Sequence, residues 1–205
     1  MMPGPMHLAV IGVGGHAKVV AATARAAGFA IGRVVDDDPD RWGQALHGAT
    51  VDGPTSRVLE DPEALAVLAI GDGRVRARLA AMARCRFARI VHPSAVVDPS
   101  VTLGDGTVVF AGAVIQPDSR IGRHAILNTG ASVDHDCVVG DFVHIGPGAR
   151  LAGGVTVGEG ALLGIGSAVV PGRTVGAWTR VGAGAVVVGD LPPDVVAVGV
   201  PARVR

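Results

Sequence analysis

The sequence predicts an N-terminal Rossmann-like α/β half-domain followed by a left-handed parallel β-helix of six-residue repeats. The first observation is that an aliphatic residue returns at every sixth position from Val91 to Val187, seventeen times without a skip. The second is composition, because the 205 residues include 31 Gly while aromatic residues make up only 3%. The third is that strand-like and helix-like segments alternate before Val91, where the six-residue period is absent.

A period of six matches neither the 3.6-residue period of a helix nor the two-residue period of a flat strand. It fits a triangular prism in which three hexads form one coil, the aliphatic residue points inward, and Gly-rich positions turn the corners. Seventeen hexads at three per coil give between five and six coils. We expect this β-helix over residues 91–190 and a C-terminal tail over 191–205.

The first 90 residues show the alternation that is typical of a parallel α/β sheet. Predicted strands cover 7–13, 33–35 and 65–70, and predicted helices cover 17–27 and 75–84. The segment is long enough for only one βαβαβ half of a dinucleotide fold. It therefore favours a mononucleotide or a sugar nucleotide over NAD as its ligand.

Charge and cysteine content exclude several classes of function. Eighteen basic residues balance eighteen acidic ones, which argues against binding to nucleic acid. Cys85 and Cys137 form no CxxC pair, as is usual in a reduced cytoplasmic protein. The N-terminus MMPGPMHLAV has no basic segment before its apolar stretch, and no run of 18 apolar residues occurs. We therefore expect neither a secretory signal nor membrane insertion, and we expect a cytoplasmic location.

A glycine-rich turn follows the first predicted strand and matches G-x-G-x-x-A over residues 12–17. Its glycines would let backbone N–H groups approach a phosphate at the start of the next helix. Asp36, 24 residues after Gly12, is placed to accept hydrogen bonds from a ribose or a base. The motif alone is weak, and a tight turn without a ligand is the alternative interpretation.

The candidate catalytic group is a histidine beside a carboxylate on a predicted corner of the prism. His135 and Asp136 form the pairing that a general base needs, because the anion orients the ring and stabilises the imidazolium. A corner of merely hydrated residues is the alternative. The spacing of His124, His135 and His144 lacks the close pair of a zinc site, so we expect no metal. Cys137 falls at an inward position, and no serine has the context of a nucleophile.

Taken together, these segments resemble a known family over essentially the whole chain. The matching stretches are GVGGHAKVV, VVDDDP, AIGDGRVR, LNTGASVDHDCVVGDFVHIGPGARLAGGV and GVPARV. They are similar to bacterial hexapeptide-repeat acyltransferases that use sugar nucleotides. The nearest types are N-acetyltransferases of nucleotide-linked 4-amino-sugars, of the bacillosamine and perosamine type, and sialic acid O-acetyltransferases.

The resemblance implies roles for individual residues. His135 matches the family's general base, and Asp136 matches the acid that raises its basicity. The residues that match the nucleotide-sugar site are Gly12, Gly14, Gly15, His16, Asp36, Asp37, Gly71 and Arg76, with Asn128 near the acceptor sugar. Those that match the acetyl-CoA side are His144, Gly153, Ile165 and Ala183. Two departures from the family pattern are Asp rather than Glu at position 136, and Gly71-Asp72-Gly73 at the third turn.

The implied activity is transfer of acetyl from acetyl-CoA to the 4-amino group of a UDP- or GDP-linked amino-deoxysugar. Direct transfer is expected, with the Gly153 N–H stabilising the oxyanion one coil from His135. Relatives are trimers, and we expect a homotrimer in which Phe110, Phe142 and Trp178 are buried only against neighbouring subunits. O-acetylation of a sialic acid type and a non-catalytic nucleotide-sugar-binding module are the alternatives.

Overall fold

The structure is a computed structural model that describes residues 6–205. Part of the expectation of no secretory signal rests on residues 1–5, which lie outside the described residues. The chain divides into two compact units between Pro93 and Ser94. Within residues 6–205, no helix has the length and apolar character that spanning a membrane requires.

The first unit is a four-stranded parallel sheet with helices. Its elements in chain order are β1 (His7–Ile11), α1 (Gly15–Ala26), β2 (Ala30–Val35), a 3₁₀ turn (Pro39–Arg41), β3 (Ala45–Leu46), β4 (Ala49–Thr50), α2 (Ser56–Leu59), β5 (Leu65–Leu68), α3 (Gly73–Met82), β6 (Arg86–Phe87) and β7 (Ile90–Val91). The sheet has the order β2-β1-β5-β6, and β3 pairs with β4 in a separate antiparallel ribbon. The two-residue strands β3 and β4 and the one-turn helix α2 are too short to show a period, and the sequence did not predict them.

Helix α1 forms because its apolar residues recur on one face. Ala17, Val20, Ala21 and Ala24 are buried, at spacings of three and four residues. The helix begins at Gly15, two residues before the predicted start, and ends just before Gly28, whose φ of +89° suits the end of a helix.

The second unit is a parallel β-helix of two-residue strands. They are β8 (Val96–Val97), β9 (Thr102–Leu103), β10 (Val108–Val109), β11 (Val114–Ile115), β12 (Arg120–Ile121), β13 (Ile126–Leu127), β14 (Ser132–Val133), β15 (Val138–Val139), β16 (His144–Ile145), β17 (Arg150–Leu151), β18 (Thr156–Val157), β19 (Leu162–Leu163), β20 (Ala168–Val169), β21 (Thr174–Val175), β22 (Arg180–Val181) and β23 (Val186–Val187), followed by β24 (Val196–Val198) and β25 (Arg203–Val204). Every strand from β7 to β23 ends on an aliphatic residue of the predicted series. The fold class predicted from the sequence, a Rossmann-like half followed by a β-helix, is confirmed.

Three sheets form the faces of the prism. The first face contains β10, β13, β16, β19, β22 and β24; the second contains β8, β11, β14, β17, β20 and β23; the third contains β9, β12, β15, β18 and β21. From β8 to β23, neighbouring strands on a face are 18 residues apart, as in the pairing of Ile115 with Val133. We call the turns after these faces the first, second and third corners. Within residues 191–205, β24 joins the first face, and β25 pairs antiparallel with β24.

Two aromatic residues that we expected on outer faces are buried within a single chain. Phe110 is 1% exposed and Phe142 is 8% exposed. The Phe142 ring stacks on His124 at the third corner, with centroids 5.3 Å apart. Trp178, half-buried, lies one coil beyond Gly160, where any Cβ would overlap its ring. The expectation that Phe110 and Phe142 need a neighbouring subunit for burial was wrong.

Candidate functional site

A cavity of about 360 Å³ opens at the carboxyl ends of the parallel strands in the first unit. Its lining residues follow β1, β2 and β5: Gly12, Val13, Gly14, Gly15, His16, Asp36, Asp38, Arg41, Ala69, Ile70 and Gly71. The strand order reverses between β1 and β5, because β2 lies on one side of β1 and β5 on the other. Open α/β sheets bind ligands at such a switch point. Of the eight residues expected in the first unit's site, six line this cavity.

The glycine-rich turn leaves the start of α1 open. Gly14 is the N-cap and supplies no side-chain acceptor to the first turn of the helix. Apart from adjacent residues and the backbone of the helix itself, no atom of residues 6–205 lies within 4 Å of the place where a Cβ on Gly14 or Gly15 would be. A phosphate could therefore approach the backbone N–H groups of this turn closely.

Asp36 fixes the walls of the cavity. Its Oδ2 accepts a hydrogen bond from the Val13 N–H at 3.0 Å, and its Oδ1 accepts one from the Asp38 N–H at 3.0 Å. Asp38 in turn accepts from Nε of Arg41 at 3.0 Å. The loop after β2 is thereby held against the turn after β1.

Two of the expected substrate residues support the cavity instead of lining it. Asp37 accepts hydrogen bonds from the Thr55 N–H and hydroxyl, both at 2.8 Å. Arg76 is only 1% exposed and donates to the carbonyl oxygens of Ile70 at 3.0 Å and Gly71 at 2.8 Å. Burial lowers the pKa of Arg76 to about 10, so the guanidinium remains charged at neutral pH.

The candidate catalytic pair lies on the second corner, between β14 and β15. His135 Nδ1 and Asp136 Oδ2 are 2.8 Å apart, and both side chains are exposed. Asp136 has a φ of +58°, a left-handed conformation that Asp tolerates better than most residues. Because a carboxylate only accepts, neutral His135 carries its proton on Nδ1, and Nε2 is left as the basic atom.

The acidic neighbours make His135 a stronger base. The hydrogen bond with Asp136 raises the pKa of His135 above its ordinary value, and the nearby charge of Asp134 raises it further. Asp134 also accepts the His135 N–H at 2.8 Å, which fixes the backbone of the corner.

Gly153 lies one coil from His135 on the same corner, and its lack of a side chain makes room for the ring. A Cβ at Gly153 would be 2.6 Å from both Cε1 and Nε2 of His135. Within the described part of the chain, the Gly153 N–H makes no hydrogen bond. The structure therefore brings together the basic nitrogen and a backbone donor with no other partner.

Asn128 and His144 form a second contact, on the first corner and the first face. Asn128 Nδ2 lies 3.1 Å from His144 Nε2, while Asn128 Oδ1 accepts the Thr129 N–H at 2.8 Å. Since the amide nitrogen can only donate, His144 Nε2 is the acceptor, and neutral His144 carries its proton on Nδ1.

The other two residues expected on the acetyl-CoA side lie on the first corner, not on the corner of His135. Ile165 and Ala183 follow β19 and β22, and the Gly184 N–H donates to the Ile165 carbonyl at 2.8 Å. In residues 6–205, the N–H groups of Ile165 and Ala183 make no hydrogen bond. In the same range, no group of three His, Cys, Asp or Glu side chains is arranged to hold a metal ion.

Comparison with known proteins assigns families to both units. The PglD N-terminal domain matches residues 7–83, and the bacterial transferase hexapeptide family (six repeats) matches residues 118–153.

Solved structures extend the match to the whole chain. A point mutant of perosamine N-acetyltransferase from Caulobacter crescentus, in complex with CoA and GDP-perosamine, is 47% identical, with a TM-score of 0.92. The alignment covers 100% of this chain and 98% of that one. This chain belongs to the nucleotide-sugar amino N-acetyltransferase family. The resemblance predicted from the sequence is confirmed.

Other relatives of this nucleotide-sugar amino N-acetyltransferase differ in how much they align. The acetyltransferase domain of PglB from Neisseria gonorrhoeae FA1090, in complex with acetyl coenzyme A, is 39% identical with a TM-score of 0.89. That alignment covers 98% of this chain and 100% of the domain. UDP-N-acetylbacillosamine N-acetyltransferase of Bacillus subtilis (strain 168) is 40% identical over 113 residues, about half the length of each protein (51%).

Sequence reasoning missed residues of this family member that act from inside the prism or from loops. Asp38 and Arg41 line the cavity, and a weak signal existed in the run of three Asp after β2. Ser119 hydrogen-bonds to the corner of His135 from the preceding coil. In the sequence Ser119 is one more small residue at an inward position, so no signal marked it.

Proposed function

We propose that this protein transfers the acetyl group of acetyl-CoA to the 4-amino group of a nucleotide-linked amino-deoxysugar. The observation that carries the proposal is the pair His135–Asp136, with the basic Nε2 held against Gly153. The complexes of relatives with CoA and GDP-perosamine, or with acetyl coenzyme A, support the substrate classes.

In the proposed reaction, the neutral amine attacks the thioester carbon while Nε2 of His135 accepts the proton that the nitrogen sheds. A carbon–nitrogen bond forms, and collapse of the tetrahedral intermediate breaks the carbon–sulfur bond. The proton then passes to the departing CoA sulfur. Asp136 stabilises the imidazolium between these steps.

We propose the Gly153 N–H as the donor that stabilises the oxyanion, because it has no partner in the described structure and lies beside Nε2. No acyl-enzyme is needed. Cys137 is an unsuitable nucleophile, since burial raises the pKa of its thiol and keeps it protonated.

The cavity of the first unit is the proposed site for the nucleotide half of the substrate. Its contact residues would be Gly12, Gly14, Gly15, His16, Asp36 and Gly71, with Asp37 and Arg76 supporting the loops. The openness of the Gly14–Gly15 turn supports binding of a diphosphate there. We assign Asn128 to the acceptor sugar, and His144, Ile165 and Ala183 to acetyl-CoA.

A homotrimer is the proposed assembly. Its support is that the acetyl-CoA residues Ile165 and Ala183 follow the first face, whereas His135 and Gly153 follow the second. In a trimer, the first corner of one copy, with Ile165 and Ala183, would lie against the second corner of its neighbour, with His135 and Gly153. Light scattering should give three times the 20.5 kDa chain mass, and a stable monomer would overturn this assembly.

The cytoplasm is the proposed location. Both cysteines are free thiols, as is usual in a reducing compartment. Fractionation of the native host should place the protein with soluble cytoplasmic enzymes, and recovery outside the cytoplasm would contradict this.

A thiol-release assay with acetyl-CoA and a panel of UDP-, GDP- and CMP-linked amino sugars tests the activity. We expect CoA release with a 4-amino sugar nucleotide and a product carrying one acetyl group that resists mild alkali, as an amide does. An alkali-labile product would indicate the O-acetyltransferase alternative. Calorimetric binding of sugar nucleotides without CoA release would indicate a non-catalytic binding module.

A further inference from the structure

Buried side chains connect consecutive coils of the β-helix through its corners. The Thr107 hydroxyl donates to the Gly122 carbonyl at 2.7 Å, and the Ser119 hydroxyl donates to the Asp134 carbonyl at 2.8 Å. Each oxygen also accepts a backbone N–H from the same corner, that of Ala125 or Cys137, both at 3.1 Å. Each hydroxyl is therefore a bridge across one four-residue corner of the next coil.

Most corners close without such a bridge. At the first corner the Ala131 N–H donates directly to the Asn128 carbonyl at 3.0 Å, and the Ala149 N–H donates to the Gly146 carbonyl at 3.1 Å. At the corner of His135, the Ser119 hydroxyl stands between the equivalent groups, the Asp134 carbonyl and the Cys137 N–H. Ser119 is 0% exposed, so water does not compete for these bonds.

The next corner on the same edge also accepts a hydrogen bond from a buried side chain. The Cys137 thiol donates to the Ala152 carbonyl at 3.3 Å. This is the corner that carries Gly153. Two buried side chains in consecutive coils thus hold the two corners between which the His135 ring lies.

We propose that Ser119 is a positioning residue for His135: its hydroxyl bridge sets the place of the imidazole over Gly153 and its contact with Asp136. The inference rests on the proposed function, because it assigns His135 as the base. The ring has little room to move toward Gly153, since a Cβ on that glycine would be only 2.6 Å from it. A displacement of about 1 Å at a reacting group can cost on the order of 10²-fold in rate.

Ser119→Ala removes the bridge and lets the Cys137 N–H close on the Asp134 carbonyl, as neighbouring corners do. Thr107→Val is the matched control, because it deletes the equivalent hydroxyl at the third corner, away from His135. Ser119→Thr is the conservative rescue, since threonine at position 107 makes the same bridge.

We expect Ser119→Ala to lower kcat about 10- to 100-fold with an unchanged KM for acetyl-CoA. Thr107→Val should lose a similar amount of thermal stability with wild-type kcat, and Ser119→Thr should restore kcat. Equal kcat values for Ser119→Ala and Thr107→Val would overturn the positioning role. If Ser119→Ala does not fold, Ser119→Cys takes its place. The longer thiol bridge should also lower kcat, and unchanged turnover would equally overturn the inference.

An NMR titration of the His135 ring separates this inference from the proposed function. The charged groups that act on the ring are Asp134 and Asp136, both in its own corner. The preceding corner contains Asp118, and the corner of Gly153 contains no charged residue. Ser119→Ala should loosen the Asp136 contact and lower the pKa of His135, whereas Thr107→Val should leave it unchanged. If wild-type protein releases no CoA with any acceptor, the proposed function fails, but this titration still decides whether Ser119 positions the ring.

Discussion

Gly153 leaves the space that the His135 ring occupies: a Cβ on this glycine would lie 2.6 Å from Nε2. The backbone of Gly153 does not need glycine for its own conformation, because its φ is outside the left-handed region. The requirement for glycine comes from the neighbouring coil. A residue 18 positions away in sequence therefore determines where the basic nitrogen lies.

Gly153→Ala should displace the imidazole and lower kcat by about 10²-fold while the fold is retained. Gly189→Ala is the matched control, because Gly189 has the equivalent place two coils further along. Apart from its chain neighbours, no atom of the described residues lies within 4 Å of its Cβ position. Steady-state kinetics and thermal melts of both variants check this. Wild-type turnover in Gly153→Ala would show that the ring position does not matter for transfer.

His135→Ala should lower kcat roughly 10²- to 10⁴-fold, the usual contribution of a general base, with little change in acetyl-CoA affinity. His7→Gln, at an exposed histidine of the first unit, is the control and should keep full activity. Turnover numbers measure the loss of kcat, and calorimetric titration with acetyl-CoA measures any change in affinity. If His135→Ala turns over normally, the base is misassigned, and His144 is the next residue to replace.

Asp136→Asn tests the pH dependence. Asp136 raises the pKa of His135, and the base works only when neutral, so wild-type activity should fall as the pH drops through this raised pKa. Asn keeps the left-handed backbone but removes the charge, so the acid limb of kcat/KM should move to lower pH, with a smaller loss of kcat than in His135→Ala.

Asp118→Asn is the control for this pH profile. Asp118 has the same corner position one coil earlier, with a φ of +61°, and makes no contribution to the pKa of His135. Its acid limb should match that of the wild type. A shift of equal size in both variants would mean that general surface charge, and not the His135–Asp136 contact, determines the pH at which the acid limb of kcat/KM falls.

Gly14→Leu should raise KM for the sugar nucleotide and leave acetyl-CoA binding unchanged. The side chain would enter open space at the N-cap of α1, so the effect should come from blocking the diphosphate and not from unfolding. Calorimetry with each ligand separately is the measurement, with Gly189→Leu as the control. If Gly14→Leu binds the sugar nucleotide normally, the glycine-rich turn has only a structural role.

The β-helix was predictable strand by strand because each hexad puts one aliphatic residue inside, and an error in phase would expose the whole series. The places of Phe110 and Phe142 were not predictable in this way. They lie at corners, where the period fixes the backbone but leaves the direction of a large side chain open. Stacking of Phe142 on His124 depends on a contact between coils that no single hexad shows.

The candidate site was predictable where chemistry is local in sequence. His135 and Asp136 are adjacent, and the glycine-rich turn is one continuous motif. Contacts that hold the cavity's loops from distant parts of the chain were not predictable. Asp37 accepts a hydrogen bond from Thr55, and Arg76 donates one to the carbonyl of Ile70. These supporting contacts depend on which loops meet in the folded unit, whereas the resemblance could only place Asp37 and Arg76 among residues that match the nucleotide-sugar site.

The pairing register of 18 residues also limits how the gene for this half of the protein can change in length. Loss of a single codon between His135 and Gly153 would shift every later inward residue by one position and expose the aliphatic series. Loss or duplication of a whole coil would preserve each inward position and each face. Length variation among descendants of this gene should therefore occur in whole coils, or as loops that leave and re-enter at a corner.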